Sequence, residues 1–227
     1  MNQKFTILFD LDGTLVDTAP DLMLAHNHVM KKFGYPTKST EDIRNLVGKG
    51  AGALIGRSIW GQAKKEFSKV LDDKIKDEMV KEFINFYGNN IINESTLING
   101  VKEFLIWCKE ENISMAVCTN KQEHLSNDLL KKIGIYDFFE YVAGSDTFDY
   151  CKPDPRHLTS VVEILDGDVK KTIMIGDSET DANAAKAAEI PVILLENGYT
   201  EKNTTEIFHN HLIKDFIGIE KIISKYL

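Results

Sequence analysis

Residues 5–17 read Phe5-Thr6-Ile7-Leu8-Phe9-Asp10-Leu11-Asp12-Gly13-Thr14-Leu15-Val16-Asp17. The run from Phe5 to Phe9 is short and apolar and stops at acidic residues, which predicts a buried strand. In extended backbone, residues i and i+2 share a side. Asp10 and Asp12 therefore face one pocket, and Gly13 lets the chain turn behind them. A polar turn that happens to hold two acids has the same composition, because turns favour Asp and Gly. The remainder of the chain has to separate these readings.

Outward from this run, short apolar stretches recur at residues 113–118, 139–143, 172–175 and 191–195. Each is bounded by Gly, Asp, Asn or Pro and reads as a strand. Helical patterns lie between them at 101–111, 124–133, 157–165 and 179–188; the first puts Val101, Phe104, Leu105 and Cys108 on one face. Alternation of this kind predicts an α/β fold: a Rossmann-like parallel sheet with helices on both faces. The first two strands are separated by about a hundred residues, against the few tens of an ordinary crossover. The intervening stretch reads as wholly helical. Residues 21–33 carry Leu22, Ala25, Val29 and Phe33 at helical spacing, and residues 66–92 carry Phe67, Val70, Leu71, Ile75, Met79, Phe83 and Phe86. The expectation is a catalytic core of residues 1–15 and 94–227, with an all-helical cap, 16–93, inserted after the first strand as a lid. The polar stretch 196–210 reads as a surface connection.

Three further motifs fall at strand ends or helix starts. Thr119-Asn120-Lys121 follows the second strand; its hydroxyl and amide can bind phosphate or cap the next helix. Lys152-Pro153-Asp154-Pro155 precedes a helix, and its prolines fix where Lys152 leaves the backbone. Gly176-Asp177-Ser178-Glu179-Thr180-Asp181 follows the fourth strand. Asp177 and Asp181, four apart, complement a helix dipole or, with the first acidic pair, make an oxygen-rich site suited to Mg²⁺. Four such turns in register with the strands are hard to attribute to chance.

This ordered set resembles the haloacid dehalogenase-like superfamily of phosphohydrolases across essentially the whole chain, and within it the phosphoglycolate phosphatases. The segment Arg44-Asn45-Leu46-Val47-Gly48-Lys49-Gly50-Ala51 shares in that subgroup resemblance. The resemblance implies a Mg²⁺-dependent phosphomonoester hydrolase working through an aspartyl-phosphate. It implies Asp10 as nucleophile and Asp12 as acid and base. Mg²⁺ is expected on Asp10, the Asp12 carbonyl and Asp177, with Asp181 holding metal waters or Lys152. Thr119, Asn120 and Lys152 match phosphate-binding positions. Arg44 and Lys49 are candidates for a second anionic group on the substrate, or else solvated charges. An acid at position 12 argues for phosphoester chemistry over dehalogenation. The expected substrate is a small phosphorylated metabolite, 2-phosphoglycolate first. Phosphatases of sugar phosphates or nucleotides and a β-phosphoglucomutase-like mutase remain rivals within the fold. A non-enzymatic phospho-acceptor or binding module is the rival outside it, but receiver modules are much shorter and lack the insertion.

Composition narrows the partners. The chain has 227 residues and a net charge of −8, which argues against a nucleic-acid footprint. No segment approaches the roughly 20 apolar residues of a membrane span, and the start lacks a signal-peptide core. A cytoplasmic monomer or homodimer without membrane or nucleic-acid partners is expected. Cys108, Cys118 and Cys151 form no CxxC, so neither a disulfide framework nor a zinc site is indicated. Cys151 adjoins Lys152, and a nearby cation raises thiol reactivity, which makes it a candidate oxidation-sensitive position. His26 and His28 sit two apart on a helix, on different faces.

Overall fold

A computed structural model describes residues 4–66 and 73–227. Six parallel strands form the sheet, in the order β5-β4-β1-β6-β7-β8. They are β1 (Thr6–Phe9), β4 (Ser114–Cys118), β5 (Tyr141–Ala143), β6 (Thr172–Gly176), β7 (Val192–Leu195) and β8 (His211–Ile213). The strand read first lies inside the sheet: Thr6 pairs with Ser114 on one side and Thr172 on the other. Such a strand must be apolar on both faces. Ile7, Phe9, Val117 and Ile175 pack on one face with Phe104, Leu105 and Leu129, from α5 (Val101–Glu110) and α6 (Glu123–Ile133). Leu8, Ala116 and Met174 pack on the other face with Leu158 and Val161 of α7 (Arg156–Ile164) and Ala182 and Ala185 of α8 (Glu179–Ala187).

Between β1 and β4 the chain departs from the sheet. It leaves through β2 (Val16–Asp17) and returns through β3 (Thr96–Leu97), which pair antiparallel. Between them lie α1 (Ala19–Phe33), α2 (Thr40–Arg44), α3 (Ala51–Glu66) and α4 (Asp73–Asn89). A proline in its first turn starts α1, and Gly34 in the left-handed region ends it. Leu22, Val29, Ile55, Met79, Phe83 and Tyr87 bury a shared interior among these helices. The exit and the entry are tied together: the buried Asp21 carboxylate accepts hydrogen bonds from Glu94 N, Ser95 N and Ser95 Oγ at 2.6–3.1 Å.

Within the stretch 66–92, helix is described at Glu66, in α3, and over Asp73–Asn89, in α4. Phe67, Val70 and Leu71 lie outside the described residues, and Ile75 is exposed. The stretch 196–210 is not only a surface connection, because Tyr199 within it is 2 % exposed. Gly198 lets the backbone pass directly over Asp177, where an added Cβ would lie 1.8 Å from the Asp177 carbonyl oxygen.

Candidate active site

Every motif arrives at the carboxyl end of the sheet, where open α/β folds bind ligands. Asp10 extends the ladder by one bond, donating from N to Ile175 O at 2.9 Å. Its side chain is buried, and Lys152 Nζ lies 2.9 Å from Oδ1. The same ammonium donates to Asp181 Oδ1 at 2.6 Å. Asp181 Oδ2 accepts from Asp177 N, Ser178 N and Ser178 Oγ. Both oxygens of Asp181 are thus engaged in fixing Lys152 and the start of α8. Asp177 is held by Tyr199 N at 2.6 Å and by Thr14 Oγ1 at 3.3 Å.

Asp10, Asp177 and Asp181 each offer an oxygen within 4.8 Å of the others. Three buried carboxylates face one ammonium, so two negative charges stand uncompensated if all ionise. Burial pushes Asp10 up to about 6 against the pull of Lys152. Burial, reinforced by Asp181 and Asp10, pushes Asp177 well above the carboxylate range. Burial works against the Lys152 ammonium, but Asp10 and Asp181 outweigh it and hold its pKa above the ordinary value. A site short of positive charge and rich in hard oxygen donors fits a divalent cation such as Mg²⁺.

Asp12 has different neighbours. Lys121 Nζ donates to both of its oxygens at 2.8 Å, and Thr18 Oγ1 donates to Oδ1 at 2.7 Å. Lys121 also lies 4.5 Å from the centroid of the Tyr87 ring. Thr119 is buried beside it and accepts from Lys121 N. Asn120 Nδ2 bridges Lys152 O at 2.9 Å and Gly48 O at 3.1 Å, tying together two core loops and the α2–α3 loop.

A cavity of ≈ 300 Å³ opens over this floor, and Asp10, Asp12, Thr119, Asn120 and Lys121 all line it. Its wall is largely apolar and comes from the helical segment: Leu22, Val80, Phe83, Ile84 and Tyr87. Lys49 and the half-buried Cys151 line it too. Arg44 does not; it pairs with Asp17 Oδ2 at 2.7 Å and lies over the Tyr199 ring. Cys118 is packed within β4, where burial pushes its thiol up to about 12. His26 is buried against Ser58 Oγ at 2.8 Å, and His28 pairs with Glu82.

The chain matches the haloacid dehalogenase-like hydrolase family over residues 7–195. It belongs to that family. A curated phosphoglycolate phosphatase of Mesorhizobium japonicum is 38% identical over 210 residues, covering 92% of this chain and 90% of the relative. That of Caulobacter vibrioides is 39% identical over 216 residues, covering 95% and 89%. A crystal structure described as a predicted phosphoglycolate phosphatase, from Haemophilus somnus 129PT, superposes with a TM-score of 0.90 at 31% identity, covering 98% of this chain and 99% of that one. This family member is, with them, an enzyme of phosphatase type. No helix among its described residues is long and apolar enough to cross a membrane.

Lys121, Thr18 and Tyr199 escaped the sequence reading. Lys121 was in view within Thr119-Asn120-Lys121, but a lysine after a strand is ordinarily a solvated charge. Only the fold brings it onto Asp12.

Proposed function

We propose that the chain is a Mg²⁺-dependent phosphomonoester hydrolase that takes 2-phosphoglycolate through an aspartyl-phosphate at Asp10. One observation carries the reading: Asp10 and Asp12 open on the same small cavity, each ion-paired to its own buried lysine, Lys152 and Lys121. A carboxylate approaching a phosphate meets repulsion of about 4 kcal/mol per charge pair at 4 Å and an effective dielectric near 20. Lys152 offsets part of that. Bound Mg²⁺, on Asp10, Asp177 and the Asp12 backbone, would neutralise charge on the phosphoryl group. Asp10 attacks phosphorus as the ester P–O bond breaks, and Asp12 gives a proton to the departing oxygen. Water then attacks the aspartyl-phosphate, its proton passes to Asp12, and the Asp10 carboxylate is restored. Thr119 and Asn120 flank the phosphate, and Asp181 keeps Lys152 in place.

The names of the relatives support phosphoglycolate, and so does the cavity. Its outer wall of Leu22, Val80, Phe83 and Ile84 offers few partners for sugar hydroxyls, which are costly to bury unpaired. In this reading the helices from α1 to α4 act as the cap, and Lys49, on the cavity wall, is a better placed cation than Arg44. The test is phosphate release with Mg²⁺ from 2-phosphoglycolate beside sugar phosphates and nucleotides, with Asp10→Asn as the blank. Preference for phosphoglycolate, lost in the variant, is the expected result. Activity spread over the panel would remove the substrate, and activity surviving in Asp10→Asn would remove the nucleophile.

A further inference from the structure

We propose that Lys121 reads the non-phosphate end of the substrate: its ammonium is shared between Asp12 and a substrate carboxylate, so the enzyme favours phosphate esters that carry a carboxylate next to the ester oxygen. The inference rests on the phosphatase reading of Asp10 and Asp12 and deepens it.

The placement of Lys121 is unusual for a brace alone. Its side chain is 5% exposed, both Asp12 oxygens lie 2.8 Å from Nζ, and the ammonium stands over the Tyr87 ring, 4.5 Å from its centroid. Burying a charge is costly unless it is well paired. Thr18 already donates to Asp12 from the start of α1, so orientation of the acid does not require a buried cation. Lys121 nonetheless lines the cavity, as does Tyr87, whose hydroxyl has no hydrogen-bond partner among the described residues.

Substrate chemistry explains the arrangement. The oxygen that leaves phosphorus must lie beside Asp12 to receive its proton. In phosphoglycolate the carboxylate is one methylene from that oxygen, so it too must come close to Asp12. Two carboxylates side by side repel unless a cation stands between them. Lys49 and Lys121 are the two cations among the described residues lining the cavity, and of these Lys121 is the one that touches Asp12. An ammonium has three donors. It can bridge Asp12 and an incoming carboxylate, while the Tyr87 face adds cation–π attraction. A neutral tail of the same size leaves that capacity unused.

The experiment compares wild type, Lys121→Met and Lys121→Arg with Mg²⁺ present. Two esters of the same carbon-chain length are used, 2-phosphoglycolate and 2-hydroxyethyl phosphate, together with calorimetric binding of their non-hydrolysable counterparts, 3-phosphonopropionate and 3-hydroxypropylphosphonate. Wild type is expected to prefer the charged member of each pair. Lys121→Met is expected to lose about 100-fold in kcat/KM on phosphoglycolate, with a raised KM, but about 10-fold or less on the neutral ester. Its preference then collapses, while Lys121→Arg keeps part of it. Equal losses on both esters, confined to kcat, would reduce Lys121 to a brace for Asp12 and overturn the proposal. If Lys121→Met does not fold, retention of part of the preference by Lys121→Arg supports the proposal. Wild type that does not discriminate between the phosphonates overturns it, whatever the activity. Conversely, Lys121-dependent binding of 3-phosphonopropionate with no hydrolysis of either ester would remove the phosphatase reading and leave the recognition site standing.

Discussion

Gly13 shows how little freedom the acidic turn allows. Its φ is +80°, and a Cβ there would lie 2.2 Å from Asp177 Oδ2 and 2.9 Å from the Tyr199 ring. Gly13→Ala is therefore expected to displace Asp177 or Tyr199, cost about 1–3 kcal/mol of stability and lower kcat more than 10-fold. Unchanged melting and turnover would contradict that geometry. Asp10 makes an opposite prediction about stability. Its carboxyl holds a proton more tightly in the fold, up to about 6, than at its ordinary 3.8. Ionisation therefore weakens the fold as pH rises through that window, by on the order of 2–3 kcal/mol when complete. In chelator at pH 7, Asp10→Asn should melt higher than wild type, with the gain fading as pH falls from about 6 to 4. Mg²⁺ should then stabilise wild type more than the variant. A variant that melts lower in chelator at pH 7 would refute this account of Asp10. At this scale the acids were legible because their chemistry is local: two strand ends carry them. Lys121 and Tyr199 were not legible, because Lys121 meets Asp12 across 109 residues of sequence and Tyr199 meets Asp177 only where the chain folds back after β7.

At the scale of elements, the junction between the helical segment and the sheet depends on one buried carboxylate. Asp21, in the first turn of α1, receives the backbone donors of Glu94 and Ser95 just before β3. Asp21→Ala strands those donors and is expected to cost about 2–4 kcal/mol. Amide exchange should quicken first in α1 and at residues 94–97; protection equal to wild type there would contradict the role. The five strands read from the sequence were legible because each is an apolar run between breakers. β2, β3 and β8 are two or three residues long, too short for a period to register. α3 was not singled out either, since Gly52, Gly56 and Gly61 interrupt its pattern. The exit from β7 read as polar surface because glycine at 198 gives no hint of the Asp177 backbone beneath it.

At the scale of the molecule, the floor and the wall of the cavity come from different sources. The floor is made by loops following β1, β4 and β5, so strand alternation and the short motifs at those strand ends suffice to anticipate it. The wall combines Leu22 with residues 47–54 and 80–87, three pieces of the helical segment. Their meeting depends on helix packing that periodicity does not specify, which is why the chemistry was easier to read than the substrate. The proposed function turns on Asp10 carrying the phosphoryl group. Rapid acid quench during turnover of a phosphoryl-labelled ester, with Mg²⁺ present, would trap that intermediate. Transient label is expected on the protein, mapped to the peptide containing Asp10 and missing from Asp10→Asn. Phosphate release with no protein-bound label, and with turnover retained in Asp10→Asn, would contradict it.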